Sequence, residues 1–302
     1  MSPPGPRDRL GATADQLGSG RHVTPSAVAA AVGLVGEGRL VDLDPGRFAG
    51  MPQHPAQPPF DLTTYRSPRG QRNQDDLPFL RPEANRDNFG FLLEQVTTSM
   101  HIGAHIDALC HVTCGSESTW YGGFPEAEFL GDKGALASDA TRIPPILARG
   151  VLIDVARYQG KSVLAPGAPI GAAELSAAAA TAGVEVRAGD VVLIHTGQLR
   201  DWPQLREGPE AGLSLDGARW LSDHDPLAIG ADNSAVEMLP SAIPGSPQPV
   251  HVHLLARCGI YLLEWLALEE LAETQPVEFL FICLPLKITG ATGSLVRPVA
   301  VL

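Results

Sequence analysis

Five short apolar runs constrain this chain more than any other feature. They are Gly150 to Ala156, Gly189 to Gly197, Leu227 to Ala231, Ile260 to Leu263 and Val277 to Leu284. Runs this short, and rich in Val, Ile and Leu, suit strands buried on both faces. Between them lie stretches with helical character: Ile170 through Thr181, Leu215 to Asp223, Val250 to Arg257, and a turn at Leu266 to Leu271. Strands alternating with helices predict an α/β fold. Upstream, Thr24-Pro25 opens a helix over Thr24 to Val35, with Thr at the N-cap and Pro at the first position. Arg39 to Asp44 reads as a strand. Residues 1–22, rich in Pro, Gly and Ser, are expected to form a flexible arm. Residues 23–302 then form one domain, interrupted at about 45–88 by a Pro-rich loop expected to cover a site or a subunit contact.

Composition narrows the function classes. The formal net charge is −12 over 302 residues, and an acidic chain without a Lys/Arg stripe is a poor ligand for nucleic-acid phosphates. Four cysteines with no CxxC pair make no disulfide framework, so free thiols in a reducing compartment are expected. The first residues lack the apolar core of a signal peptide, and no run reaches the ~18 apolar residues of a membrane span. A cytoplasmic protein with neither membrane nor nucleic-acid partners follows as the expectation.

The chemistry concentrates in one segment. His101, His105, Asp107 and His111 fall within eleven residues. Imidazole and carboxylate are the ligands that Zn²⁺ or Mn²⁺ accepts. His101 and His105 are spaced for one helical face, whereas His105 and Asp107 are spaced for one face of an extended segment. Gly103 gives the backbone freedom to bend between them. The expectation is a strand end or loop running into a helix that starts near Asp107. A second candidate is Pro249-Val-His251-Val-His253, whose histidines diverge, so that one of the two is a ligand. Glu264 ends a buried strand and needs a partner: it is either a further ligand or the cap of the next helix. His195 also ends a strand, where core hydrogen bonding is the simpler role. Cys110, beside His111, is a weaker nucleophile candidate. There is no GxSxG elbow, no GxGxxG after a strand and no GxxxxGK[ST] loop, so serine-hydrolase and nucleotide-binding readings have no anchor.

The string His101-x-Gly-x-His105-x-Asp107-x-x-x-His111 resembles the signature of the putative cyclase family, which includes bacterial kynurenine formamidases and isatin hydrolases. Further segments look like family segments in family order. These are Gly150 to Arg157, Gly189 to Gly197, Gly230 to Glu237, Pro249-Val-His251 through Glu264-Trp265, Pro285 to Ser294, and Val296-Arg-Pro298. The departures are Ala104 for the usual Thr, and Leu109 and Leu295 for usual prolines.

The resemblance implies a swivelling β/β/α domain, a mixed sheet with flanking helices, assembled as a homodimer or homotetramer. It implies metal ligation by His101, His105, Asp107, His251 and Glu264, with one or two Zn²⁺ or Mn²⁺ ions per subunit, and a catalytic role for His111. The spacing leaves His253 as an alternative to His251. The implied activity is hydrolysis of an amide, imide or lactone of a small molecule through metal-activated water, with His111 as general acid/base. The alternative is a biosynthetic cyclase or lyase using the same site. Trp120, Tyr121, Trp265, Thr292 and Ser294 are candidates for the substrate pocket.

Overall fold

The computed structural model describes residues 14–205 and 208–302. The chain divides into two compact units: Met1–Gly46 with Met100–Leu302, and Arg47–Ser99. The larger unit is built on one nine-stranded sheet. In chain order its strands are β1 (Leu40–Asp42), β2 (His105–Asp107), β3 (Ile146–Asp154), β4 (Val191–His195), β5 (Ala228–Ala231), β6 (Tyr261–Glu264), β7 (Phe279–Cys283), β8 (Gly293–Leu295) and β9 (Val299–Val301). Across the sheet the order is β1-β9-β7-β3-β4-β5-β6-β2-β8.

The five apolar runs are β3 to β7. Four of them, β3-β4-β5-β6, pair in parallel, and the strands on either side are antiparallel. Parallel strands need both faces covered, and β4 and β5 are buried at every residue. This is the mixed α/β sheet with flanking helices that the sequence predicts. The helices begin where their caps lie. Thr24 Oγ1 accepts from Ala27 N at the start of Pro25–Val32, and Ser214 Oγ accepts from Gly217 N at the start of Leu215–Asp223. At the end of β3, Val155 and Ala156 leave the strand and open a short helix, because Asp154 caps it by accepting from Arg157 N.

The N-terminal segment is not free over its described part. Residues Gly18–His22 form a 3₁₀ turn. Ser19 N donates to Gly259 O, Ser19 Oγ to Leu227 O, and the Tyr261 hydroxyl to Leu17 O. The earlier part of the expected arm, residues 1–13, lies outside the described residues. Among the described residues no helix is long and apolar enough to cross a membrane.

The smaller unit replaces the expected Pro-rich loop with regular structure. Asp61–Arg66 and Leu93–Thr97 form an antiparallel two-stranded sheet with an irregularity between Thr64 and Arg66. Ser67 caps the helix Pro68–Gln74. The buried Gln71 amide donates to Phe91 O and accepts from Phe91 N, which ties the helix to the return of the chain. Arg66 and Asp76 close a bidentate pair at 3.0 and 2.7 Å.

Candidate metal centre

The side-chain period of two puts His105 and Asp107 on the same face of β2. Antiparallel pairing with β6 sets His105 directly opposite Glu264. On the other side, β8 sets Gly293 opposite Asp107. Gly103, with φ +59°, bends the chain before the strand, and His105 donates Nδ1–H to Gly103 O at 2.8 Å. That bond turns His105 Nε2 towards Glu264 Oε2 at 3.2 Å and Asp107 Oδ1 at 3.5 Å. His101 folds back across β2, with Nδ1 2.8 Å from Asp107 Oδ1 and Nε2 2.9 Å from Thr292 Oγ1. The His111 ring stacks on His101, centroids 3.9 Å apart.

The helix expected to start near Asp107 does not form. Ala108 N donates to Thr292 O, extending the sheet bonding, and a turn follows, closed by His111 N to Ala108 O. Pairing on both sides of β2 holds the backbone extended up to that turn.

His251 and Glu264 join this cluster from a distant part of the sequence. His251 ends the short helix Pro249–His251, which continues as a wide π-type stretch over Val252–Cys258. Its Nε2 lies 3.0 Å from Glu264 Oε1 and 3.9 Å from Asp107 Oδ2. His253 points away, its Nε2 2.9 Å from Ser222 Oγ. The geometry therefore selects His251 of the two.

Two overlapping groups could hold metal ions: His101, Asp107 and His111, and Asp107, His251 and Glu264. Asp107 is common to both. It is fully buried, and its Oδ2 has no hydrogen-bond partner. Leaving such an atom unpaired costs about 1–3 kcal/mol, and a cation between Asp107, His251 and Glu264 would remove that cost. Nitrogen and carboxylate donors are the set that Zn²⁺ or Mn²⁺ accepts, so the residues fit a divalent ion.

Electrostatics agrees with a site built for positive charge. Burial opposes ionisation of Asp107, yet the charge of His111 and the hydrogen bond from His101 hold its carboxyl far below the usual range. Burial likewise opposes Glu264, and hydrogen bonds from His105 and His251 outweigh it and keep it low. His111 is different. Loss of solvation, together with neighbouring His101 and His251, pushes it down to about 4, although the residue keeps an exposed edge.

Of the expected pocket residues, Thr292 meets His101, as described. Ser294 is spent on the backbone: its Oγ accepts from Leu286 N and donates to Leu295 O. Tyr121 is buried, and its hydroxyl donates to Asp15 Oδ2 at 2.8 Å, latching the N-terminal segment. Trp120 packs on Phe124 and Phe129 in the core. Trp265 meets Trp202 edge to face at 5.7 Å. Burial raises the thiol of Cys110 to about 12, so it is no nucleophile at neutral pH.

A second group, His195, Asp232 and Glu269, also has ligand-like spacing. His195 Nδ1 lies 2.8 Å from Asp154 Oδ1 and Nε2 lies 3.2 Å from Glu269 Oε1. Asp232 already accepts from Thr196 N and Oγ1, Gly197 N and Gln198 N. With these donors in place the group is satisfied as an ion-pair network around an imidazolium. Burial opposes that charge, but the bonds to Asp154 and Glu269 and the charge of Asp232 raise His195 from 6.5 to about 10. A raised pKa stabilises the fold fully below the unfolded value and is lost as pH rises through the folded one. His195→Gln is therefore expected to lose less stability than wild type between pH 6.5 and about 10 in urea titrations. Equal slopes in the two proteins would contradict the network.

Known proteins place the chain in a family. The family model described as "Putative cyclase" matches residues 33–238. "Cyclase-like protein 3" of Oryza sativa subsp. japonica is 32% identical over 105 residues, 34% of this chain and 36% of that protein, so the match spans about a third of the plant relative. A crystal structure of a novel cyclase superposes with a TM-score of 0.83 and 28% identity, covering 95% of this chain and 96% of the other. Isatin hydrolase A from Labrenzia aggregata superposes at 0.63 with 19% identity, covering 91% and 96%, a likeness of fold. The family match, spread over more than half of the chain and joined to a solved cyclase fold along nearly all of it, shows that this chain belongs to the putative cyclase family.

Proposed function

We propose that this chain is a metal-dependent hydrolase that opens an amide, imide or lactone bond of a small molecule. The observation that carries the reading is the buried, unpartnered Oδ2 of Asp107 among His251 and Glu264. His101, His105, Asp107, His251 and Glu264 would hold one or two divalent ions, Zn²⁺ or Mn²⁺, with Asp107 shared. Such an ion polarises a carbonyl and favours ionisation of water near neutral pH. The fold is shared with isatin hydrolases, and isatin is a cyclic amide. We expect a homodimer or homotetramer acting on a free small molecule.

The protein's own groups supply positioning and proton movement. His111 keeps an exposed edge, and a neutral imidazole there could take a proton from attacking water and return it to the leaving atom. Stacking on His101, itself held between Asp107 and Thr292, fixes where that ring stands.

Turnover in ¹⁸O-water tests the reaction class. Hydrolysis places label from water in the product; turnover without label makes the enzyme a cyclase or lyase instead. His111→Ala is expected to lower kcat by roughly 10²–10⁴, the usual contribution of a general acid/base; loss of metal in the same variant would instead make His111 a ligand beside His101 and Asp107. Retained turnover would remove the role assigned to His111.

A further inference from the structure

The ring of His251 is gripped from both sides. Glu264 meets Nε2 at 3.0 Å, and Glu237 meets Nδ1 at 2.6 Å. Glu237 is 1% exposed. It spends both oxygens at the start of the His251 helix: Oε1 also accepts from His251 N at 3.1 Å, and Oε2 accepts from Val250 N at 3.2 Å. Its backbone is strapped down as well, since Leu213 N donates to Val236 O and Met238 N to Leu213 O.

Strain marks the same place. Val236, immediately before Glu237, has φ +56°, and Trp265, immediately after Glu264, has φ +57°. Left-handed backbone costs a non-glycine residue about 1–3 kcal/mol, and for a β-branched valine it is a true outlier. The fold thus keeps a strained residue beside each of the two carboxylates that hold one imidazole. Propensity alone would remove both.

We propose that Glu237 is a positioning residue for the metal centre: by accepting Nδ1–H it fixes the ring angle and tautomer of His251 and presents the Nε2 lone pair towards Asp107 and Glu264. The proposal rests on the metal reading above. A carboxylate behind a ligating histidine raises its basicity and locks its orientation, and loss of such a partner typically weakens metal binding 10–100-fold. Glu237→Gln keeps the size of the side chain. It removes the charge and sets an amide N–H₂ against one of the N–H groups that the carboxylate now accepts.

Calorimetric titration of metal-free protein with Zn²⁺ is the test. Wild type is expected to bind, and Glu237→Gln to bind about 10–100-fold more weakly, with unchanged stoichiometry at saturation and activity recovered by excess Zn²⁺. Equal affinity in the two proteins overturns the role of Glu237 and leaves the metal reading standing. Failure of wild type to bind Zn²⁺ or Mn²⁺ overturns both. Nitrogen NMR of the Zn²⁺-loaded wild type gives a reading that does not depend on how the variant folds. Protonated Nδ1 with metal-bound Nε2 on His251 is expected; the opposite tautomer overturns the proposal.

Discussion

Asp107→Asn is expected to abolish metal binding and activity together. Asp107 is the one side chain common to both candidate metal groups. Its Oδ1 faces His101 at 2.8 Å and His105 at 3.5 Å, and its Oδ2 stands 3.9 Å from His251. An amide puts two N–H donors where the site needs acceptors and removes a charge held ionised by its surroundings. Loss of a direct ligand should exceed the 10–100-fold effect of losing a supporting one, so affinity falls by more than about 100-fold. Metal-free protein should suffer as well. The change removes one partner from a buried set of ion pairs, which costs roughly 3–5 kcal/mol. Titration calorimetry and urea unfolding read the two effects separately. A variant that binds Zn²⁺ as tightly as wild type would remove Asp107 from the centre of the site.

Gly293→Ala tests the walls of the site without replacing any of the proposed ligands. A Cβ at Gly293 would stand 2.6 Å from His101 Cε1, 3.1 Å from His101 Nδ1 and 2.9 Å from Ile106 O. The His101 ring cannot swing aside cheaply, because Asp107 and Thr292 hold both its nitrogens. Either the ring leaves Asp107 or β8 shifts away from β2. Overpacking of this kind costs about 1–3 kcal/mol of stability. A displacement near 1 Å at a reacting centre costs on the order of a hundredfold in rate. The expected result is a folded protein with kcat/KM down about 100-fold, and with the stacked His101–His111 pair disturbed. Activity equal to wild type would show that His101 has slack which the packing denies.

Much of the site was legible because one short segment carries it. The two-residue spacing of His105 and Asp107 predicts a shared strand face, and Gly103 predicts the bend; β2 has both. The sequence predicts a helix after Asp107, and none forms there, because nothing local shows that β6 and β8 pair on both sides of β2 and keep it extended. Glu237 was invisible as a working residue. It stands in a segment with family character, but its partner is fourteen residues away and meets it only through the turn strapped to Leu213. The end of a strand suggests core hydrogen bonding for His195, but its partners Asp154, Asp232 and Glu269 come from separate strand ends and a helix, a convergence that spacing does not display.

The flanking regions were less legible for a different reason. The strand pair Asp61–Arg66 and Leu93–Thr97 is exposed along nearly its whole length, so it lacks the alternation of apolar and polar residues by which strands are recognised. The segment at 14–22 has few apolar residues. It is held by backbone groups and by Ser19, Tyr121 and Tyr261 hydroxyls, contacts that composition cannot reveal. Tyr121, a reasonable pocket candidate from its neighbourhood in sequence, is committed to that latch.

Metal removal and reconstitution tests the central claim most directly. Protein stripped with a chelator should hydrolyse none of a panel of aryl formamides, cyclic amides and lactones above background. Activity should return on adding Zn²⁺ or Mn²⁺, saturating at one or two ions per chain by elemental analysis. Equal activity in stripped and reloaded protein would contradict the account.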